Sequence, residues 1–500
     1  MSRRTADAKT GNAMFRSFAI FNYRVWFIGA LVSNVGAWMQ ATALSWVVLT
    51  VLTDNDAGAM GLTMALQFAP PLLLVSVTGW VADRFDRRRL LMVTQSSLLI
   101  LGAIIGVLLL NGLMTLPLMY VFALLLGIVA AFDNPTRQAF VSDLVDRENA
   151  SNAVALNAAS FNVARMIGPA VAGIVIVAVG TGWVFLVNAV TFLAMLVALW
   201  LIRVDELVPR VKATGASRLA DGFRYVGGRP DLLVTFVMVF LLGAFGMNFP
   251  IFASTMALEF GQSADGYGLL SSILAIGSLA GALLAARRDR ARIRLVIMGM
   301  GLFGVSIGLS ALMPTYWLYA AALMVTGFAS VTTLTTANGY VQTTTDPALR
   351  GRVLALYMAI LMGGTPLGAP VVGWVAAEFG PRIAILLGAV MALVAFGIGF
   401  GWLVLSGRLH RHETRRFALS LDETRPISIV DPVAPEEFSD EVAATTPISL
   451  PDVRVPDLTR DTPPPPHRLT LGSPTPPRAA TPRATHHDLY RPPRSGSATA

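Results

Sequence analysis

Gly79-Trp80-Val81-Ala82-Asp83-Arg84-Phe85-Asp86-Arg87-Arg88-Arg89 joins two apolar blocks, Gly61 to Ala82 before it and Leu90 to Leu110 after it. Each block has the roughly 20 mostly apolar residues that a helix needs to cross the hydrocarbon of a bilayer. Gly79, one turn before the charges, allows another helix to come close. The charges that follow fix the helix end at the membrane surface. A short connection this rich in arginine also marks a side, because such loops stay in the cytoplasm.

The same alternation runs outward in both directions. Twelve spans are expected: Val25 to Leu52, Gly61 to Ala82, Leu90 to Leu110, Leu116 to Phe132, Val154 to Val179 and Trp183 to Ile202, then Leu232 to Ala257, Tyr267 to Ala286, Leu295 to Met313, Tyr316 to Gly339, Val353 to Phe379 and Ile383 to Leu405. None shows the alternation of a strand, and backbone groups in lipid must be hydrogen-bonded internally, so the blocks are read as helices. Composition agrees: 54% of residues are hydrophobic and 14% charged, against roughly 45–50% and 25% in soluble domains. The organisation is a cytoplasmic amino terminus (1–24), a six-helix half (25–202), a cytoplasmic central loop (203–231), a second six-helix half (232–406) and a tail (407–500).

The net charge of +8 sits in the loops of one side and is not read as affinity for nucleic acid. Arg3, Arg4, Lys9, Arg16 and Arg24 precede the first span, Arg84 and Arg87 to Arg89 follow the second, and Arg137 and Arg147 follow the fourth. The central loop adds Arg203, Arg210, Lys212, Arg218, Arg224 and Arg229, the eighth connection Arg287, Arg288, Arg290, Arg292 and Arg294, and the tenth Arg350 and Arg352. Only Arg382 falls on the other side. Both termini are therefore expected in the cytoplasm, and arginine usage points to a bacterial inner membrane. No signal peptide is read at Met1-Ser2-Arg3-Arg4. Arg408, Arg411, Arg415 and Arg416 lie close to the bilayer, where basic residues attract anionic headgroups. From Ala418 onward sixteen prolines interrupt a polar stretch expected to be disordered, with no identifiable partner.

An internal repeat appears at an offset of 200. Residues 131–180 and 331–380 share eleven identities in fifty, among them Gly168 with Gly368 and Gly173 with Gly373, where roughly four are expected from typical frequencies. The shared register indicates duplication of a six-helix unit, and parallel halves of this kind are a known transporter architecture.

With these features in place, the stretch at Gly79 resembles the GxxxDRxxRR signature of the major facilitator superfamily, with Gly79, Asp83, Arg84 and Arg87 in the matching positions. The resemblance covers residues 20 to 406 and implies a conformational latch. Gly79 would pack the second helix on the eleventh, Asp83 would face the positive end of the eleventh, and Arg87 would pair with an acid on the fourth, for which Asp133 is the candidate. The second half carries a degraded copy at Gly281 to Arg288 with Ala285 in place of the acid. In the fifth span, Gly168-Pro169 with Gly173 resembles the antiporter motif of drug exporters, and Asn162-Val163-Ala164-Arg165 resembles the enterobactin-exporter branch. Physically, Gly168 and Pro169 loosen the helix and admit a neighbour.

No intramembrane hydrolase can be assembled. All five histidines lie beyond the last span, Cys is absent, and no two acids fall deep within spans. Export of drugs, siderophores or related small molecules is expected, with nutrient uptake, or a transport-inactive sensor or scaffold, as alternatives. No cofactor is expected; a proton gradient is the driving force the resemblance implies, although no mid-span carboxylate supports it. Asn34 and Trp38, a turn apart, form a candidate substrate wall with Asn157, Asn162 and Arg165. Arg165 lies about 17 Å into a core of ~30 Å, too deep to snorkel, so it is expected to line the cavity.

Orientation is tested by placing single cysteines at Asn55 and Ser217 of this Cys-free chain. A membrane-impermeant reagent should label the first and spare the second in intact cells; the reverse pattern would invert the topology.

Overall fold

Most of the apolar blocks become single helices, and three of them start at a capping aspartate. The computed structural model describes residues 13–208, 219–287, 291–406, 409–411 and 419–421. The first half comprises α1 (Phe21–Thr50), α2 (Ala57–Leu73), α3 (Val75–Arg84), α4 (Arg87–Leu110), α5 (Leu116–Val141), α6 (Arg147–Val179) and α7 (Thr181–Leu201). Asp56, Asp86 and Asp146 cap α2, α4 and α6, accepting from the backbone N–H of Gly58, Arg89 and Asn149 at 2.7, 2.7 and 2.9 Å. The central loop contributes α8 (Leu219–Gly227). The second half comprises α9 (Pro230–Leu241), a π-turn at Leu242–Gly246, α10 (Phe249–Glu259), α11 (Ala264–Ala286), α12 (Ile293–Ala311), α13 (Tyr316–Thr344), α14 (Arg350–Phe379) and α15 (Pro381–Leu405).

Counting α9 to α10 as one, eleven of the described helices are long and apolar enough to cross a membrane. The remaining expected span, the second, is divided between α2 and α3 at Leu74. Pro70 and Pro71 precede the break. Without an N–H, Pro71 leaves the carbonyl of Gln67 unbonded within the helix, and a Cβ on Gly127 of α5 would run into that carbonyl. Gly127 thus lets the fourth span cover the defect. The fourth and fifth spans are longer than expected: α5 continues past Phe132 to Val141 and α6 begins at Arg147. Large apolar side chains such as Ile174, Val190 and Leu302 stand exposed around the bundle, as lipid-facing residues do.

The repeat is visible in the backbone. Gly180 and Gly380, 200 residues apart, end α6 and α14 with φ of 96° and 87°, a left-handed conformation that only glycine adopts at little cost. Within the halves, Gly168 packs on α1 and Gly368 on the π-turn before α10. Between the halves, Gly173 packs on the start of α11 at Ala264 and Asp265, and Gly373 on the start of α2 at Ala57. Gly268 and Gly61 complete these two seams against the carbonyls of Pro169 and Ala369, and Trp46 stacks on Tyr267 with ring centroids 5.9 Å apart. Every one of these contacts lies away from the end that carries the arginine-rich turns.

At that basic end the expected contact of Gly79 with the eleventh span is not made. Nothing lies within 4 Å of a Cβ built on Gly79, and α3 packs beside α5 instead. The break at Leu74 is the physical reason, since it frees α3 from the course set by α2. In the degraded copy, Gly281 packs against Phe328 and Thr332 of its own half.

In the central loop, Gly222 of α8 packs on Arg352 of α14, and Arg229 makes two parallel hydrogen bonds to Asp231 at 2.9 and 2.7 Å. On the opposite end, the outlying Arg382 pairs with Glu259 at 2.5 Å and donates to the carbonyls of Ala311 and Met313. It ties together three connections of the second half. In the tail, β1 (Leu409–Arg411) and β2 (Leu419–Leu421) form an antiparallel ribbon. Arg3, Arg4, Lys9, Lys212, Ser217, Arg408, Arg415, Arg416 and the proline-rich stretch lie outside the described residues.

The seam yields a test. Gly61→Leu should insert normally but push α2 from α14, and overpacking of about 1–3 kcal/mol corresponds to a roughly fivefold to hundredfold shift in conformer ratio. Spin labels at Asp54 and Glu378 should report longer separations. An unchanged distance distribution would refute the seam's role in holding that end closed.

Candidate functional site

The first half encloses a cavity of about 530 Å³. Its wall is formed by Asn34, Trp38 and Gln40 of α1, Gln67 of α2, Asp133, Asn134, Arg137 and Gln138 of α5, Asn157, Phe161 and Asn162 of α6, and Asn188 and Phe192 of α7, with smaller apolar residues between them. The long reach of α5 creates this wall: Asp133, Asn134, Arg137 and Gln138 all belong to the two turns that continue beyond the expected end of the fourth span.

Packing fixes the aromatic side. Trp38 meets Phe161 edge-on with ring centroids 5.7 Å apart, and Gly168 leaves room for Trp38, whose Cβ would be only 2.5 Å from a Cβ at that position. The amides are fixed by hydrogen bonds. Asn188 Nδ2 donates to Gln40 Oε1 at 2.7 Å, and Asn162 Nδ2 donates to the Ala158 carbonyl at 2.8 Å.

The charged side is a network centred on Asp133. Its Oδ1 accepts from Thr94 Oγ1 at 2.6 Å and Gln95 Nε2 at 2.7 Å, and its Oδ2 accepts from Arg137 Nε at 3.2 Å. Arg137 also donates to Asn34 Oδ1 at 3.1 Å and Ser33 Oγ at 3.4 Å. Asn34 lies near the middle of the 30-residue α1, so the guanidinium reaches from the basic end toward the membrane centre. The side chains of Arg137 and Asp133 are 14% and 5% exposed, a depth at which a charge must be paired or face water.

The structure brings Asn34, Trp38, Asn157 and Asn162 together in one cavity. Arg165 is not in its wall. The antiparallel contacts Gly173 to Ala264 and Pro169 to Gly268 step by four residues, which places Arg165 on the inter-half seam at the level of Ser272. Arg165 has no hydrogen bond or ion pair among the described residues, and the Ser272 hydroxyl is buried without a partner.

The fifth-helix motif acts in packing: Gly168 seats α1, and Pro169 and Gly173 meet α11. Of the expected latch, Arg87 pairs with Asp143 at 2.8 Å rather than with Asp133. The reason is reach, because Asp143 follows directly on α5 at the membrane surface while Asp133 is held inside by Thr94, Gln95 and Arg137. Arg84 is exposed and lies over the Trp80 ring at 5.6 Å; the Asp83 side chain is outside the described residues.

The sequence put Asp133 at the end of the fourth span and Arg137 in the connection after it, because charges were taken as span ends. Their spacing of four was the available signal, since it puts both on one helix face beside Asn134 and Gln138. No group of three or more His, Asp or Glu that could hold a metal occurs among the described residues.

Residues 12–415 match the family described as transmembrane secretion effector. The chain is 27% identical over 369 residues to the staphyloferrin A transporter of Staphylococcus aureus, covering 71% of this chain and 90% of that one. It is 27% identical over 396 residues to the enterobactin exporter EntS of Shigella flexneri, covering 77% and 89%. Among solved structures, a bacterial homologue of the human lysosomal transporter Spinster in an inward-facing, unoccupied conformation superimposes with a TM-score of 0.61 at 15% identity, over 76% of this chain and 96% of that one. A D-xylose–proton symporter superimposes with a TM-score of 0.60 at 16% identity, over 76% and 97%; both likenesses concern the fold. The chain therefore belongs to the transmembrane secretion effector family of the major facilitator superfamily, and is a multi-pass membrane transporter of small molecules rather than an enzyme.

Proposed function

We propose that the protein exports siderophores or chemically related amphipathic metabolites from the cytoplasm across a bacterial inner membrane by alternating access. The observation that carries this reading is the cavity wall, where eight amide side chains, two charges and the rings of Trp38, Phe161 and Phe192 face one space. Such a wall suits a ligand with many hydrogen-bonding groups and aromatic or amphipathic character. The names of the two relatives, a staphyloferrin A transporter and an enterobactin exporter, support a siderophore as the ligand.

The seams, closed away from the basic end, and the unpacked Gly79 correspond in this reading to the inward-facing state, ready to load from the cytoplasm. Closing the basic end would bring α3 to α14 and engage Gly79 and Asp83. A proton gradient is the proposed driving force.

Export is tested with enterobactin in inside-out vesicles containing the protein. Accumulation should appear when a pH gradient is imposed and collapse with an uncoupler. Vesicles that fail to accumulate it would remove the exporter reading for this ligand class, and accumulation indifferent to the uncoupler would remove proton coupling.

Arg165→Gln separates seam from cavity. Because Arg165 lies on the seam that must open and close, the variant should insert normally, keep ligand affinity within about twofold and alter turnover severalfold, consistent with coupling effects of about 0.5–2 kcal/mol. A large loss of affinity with unchanged turnover would return Arg165 to the binding wall.

A further inference from the structure

We propose that Arg137 recognises a carboxylate group of the substrate, and that Asp133 occupies Arg137 only while the cavity is empty. This rests on reading the first-half cavity as the substrate site and adds the ligand's charge class.

Five observations support it. Arg137 is incompletely used: a guanidinium has five N–H donors, and its bonds to Asp133, Asn34 and Ser33 account for three. Its contact with Asp133 is single and long at 3.2 Å, whereas Arg229 and Asp231 in the same chain make a two-bonded pair at 2.9 and 2.7 Å. The first geometry leaves room for exchange; the second does not.

Asp133, in turn, does not depend on Arg137 alone. Thr94 and Gln95 donate to its other oxygen, so the carboxylate keeps two hydrogen bonds when the guanidinium turns to a ligand. Among the described residues no other charged side chain than Asp133 and Arg137 lines the cavity, so Arg137 is the cation its wall presents to an entering acid. Finally, the duplicated scaffold folds without this pair. The matching positions in α13 are Thr333 and Ala337, so the ion pair is a property of the cavity and not of the helix.

The exchange predicts opposite effects for its two members, which a purely structural pair would not show. The measurement is fluorescence titration of the purified full-length protein with dansylglycine and with its neutral amide, two probes that differ only in the acid. Wild type should prefer the carboxylate by about tenfold or more, in line with hydrogen bonds to charged groups. Asp133→Asn should strengthen binding of dansylglycine severalfold and leave the amide unchanged. Arg137→Lys should keep the preference, and Arg137→Gln should abolish it. If Arg137→Gln does not fold, the double variant Asp133→Asn/Arg137→Gln removes both buried charges together and should likewise bind the two probes equally.

Equal binding of both probes by wild type, binding of neither, weaker carboxylate binding in Asp133→Asn, or a preference that survives in the double variant would each overturn the proposal. Its failure is distinct from that of the exporter reading. Enterobactin export without carboxylate preference would defeat only the anion site, and an Arg137-dependent preference without export would defeat only the transport direction and ligand.

Discussion

Apolar helices gain little by leaving lipid for one another, because acyl chains are as apolar as leucine; they associate where their backbones can come close enough for dense packing. In this chain that condition is met at glycines placed in pairs across two seams, Gly61 and Gly373 between α2 and α14, and Gly173 and Gly268 between α6 and α11. A methyl group at any of the four would meet a carbonyl or backbone carbon of the facing helix. Both seams lie away from the basic end, so the halves are joined there, while at the basic end α3 packs within its own half, beside α5, and Gly79 meets no neighbour.

The second constraint is the cost of charge. Arg137 and Asp133 lie where insertion of a single charge costs at least ~2.5–3.5 kcal/mol, and leaving either one unpaired in a buried site costs about 3–5 kcal/mol. Thr94, Gln95, Asn34 and Ser33 offset that cost with hydrogen bonds. A charged group surrounded by so many neutral donors and acceptors can change its ionic partner at modest cost. Arg382 and Glu259 face the same constraint at the opposite surface and answer it differently, by closing on one another and on two helix-end carbonyls.

Much of this architecture was legible in the sequence because the membrane imposes length and hydropathy on every span. The repeat at offset 200 also pointed to the right glycines: Gly168, Gly173, Gly368 and Gly373 were picked out as identities and prove to be contact points. Two kinds of feature were not legible. Charges were read as marking span ends, which cut the fourth span short at Phe132 and hid the Asp133–Arg137 pair, and a linear pattern does not tell a charge that ends a helix from one that faces inward. The second kind is contact between halves. Gly79 is the kind of residue that lets helices pack closely, but whether it packs depends on the course α3 takes after the break that follows Pro70-Pro71, which a single sequence does not specify.

Duplication offers a way to separate scaffold from site. A residue the fold requires recurs in both halves, as the glycines at 168 and 368, 173 and 373, and 180 and 380 do. Asp133, Arg137, Asn157 and Asn162 face Thr333, Ala337, Tyr357 and Met362 at the same offset, so the bundle does not need them, and all four converge on one cavity. One-sidedness alone is insufficient, since Arg229–Asp231 is also confined to one half. What distinguishes that pair is saturation: both carboxylate oxygens are bound by the guanidinium, and Tyr340 and Tyr225 add further hydrogen bonds. A one-sided charge locked in a two-bonded pair, with four of its five donors engaged, holds structure together, whereas a one-sided charge with a single long ionic contact, facing a cavity, is placed to meet a ligand.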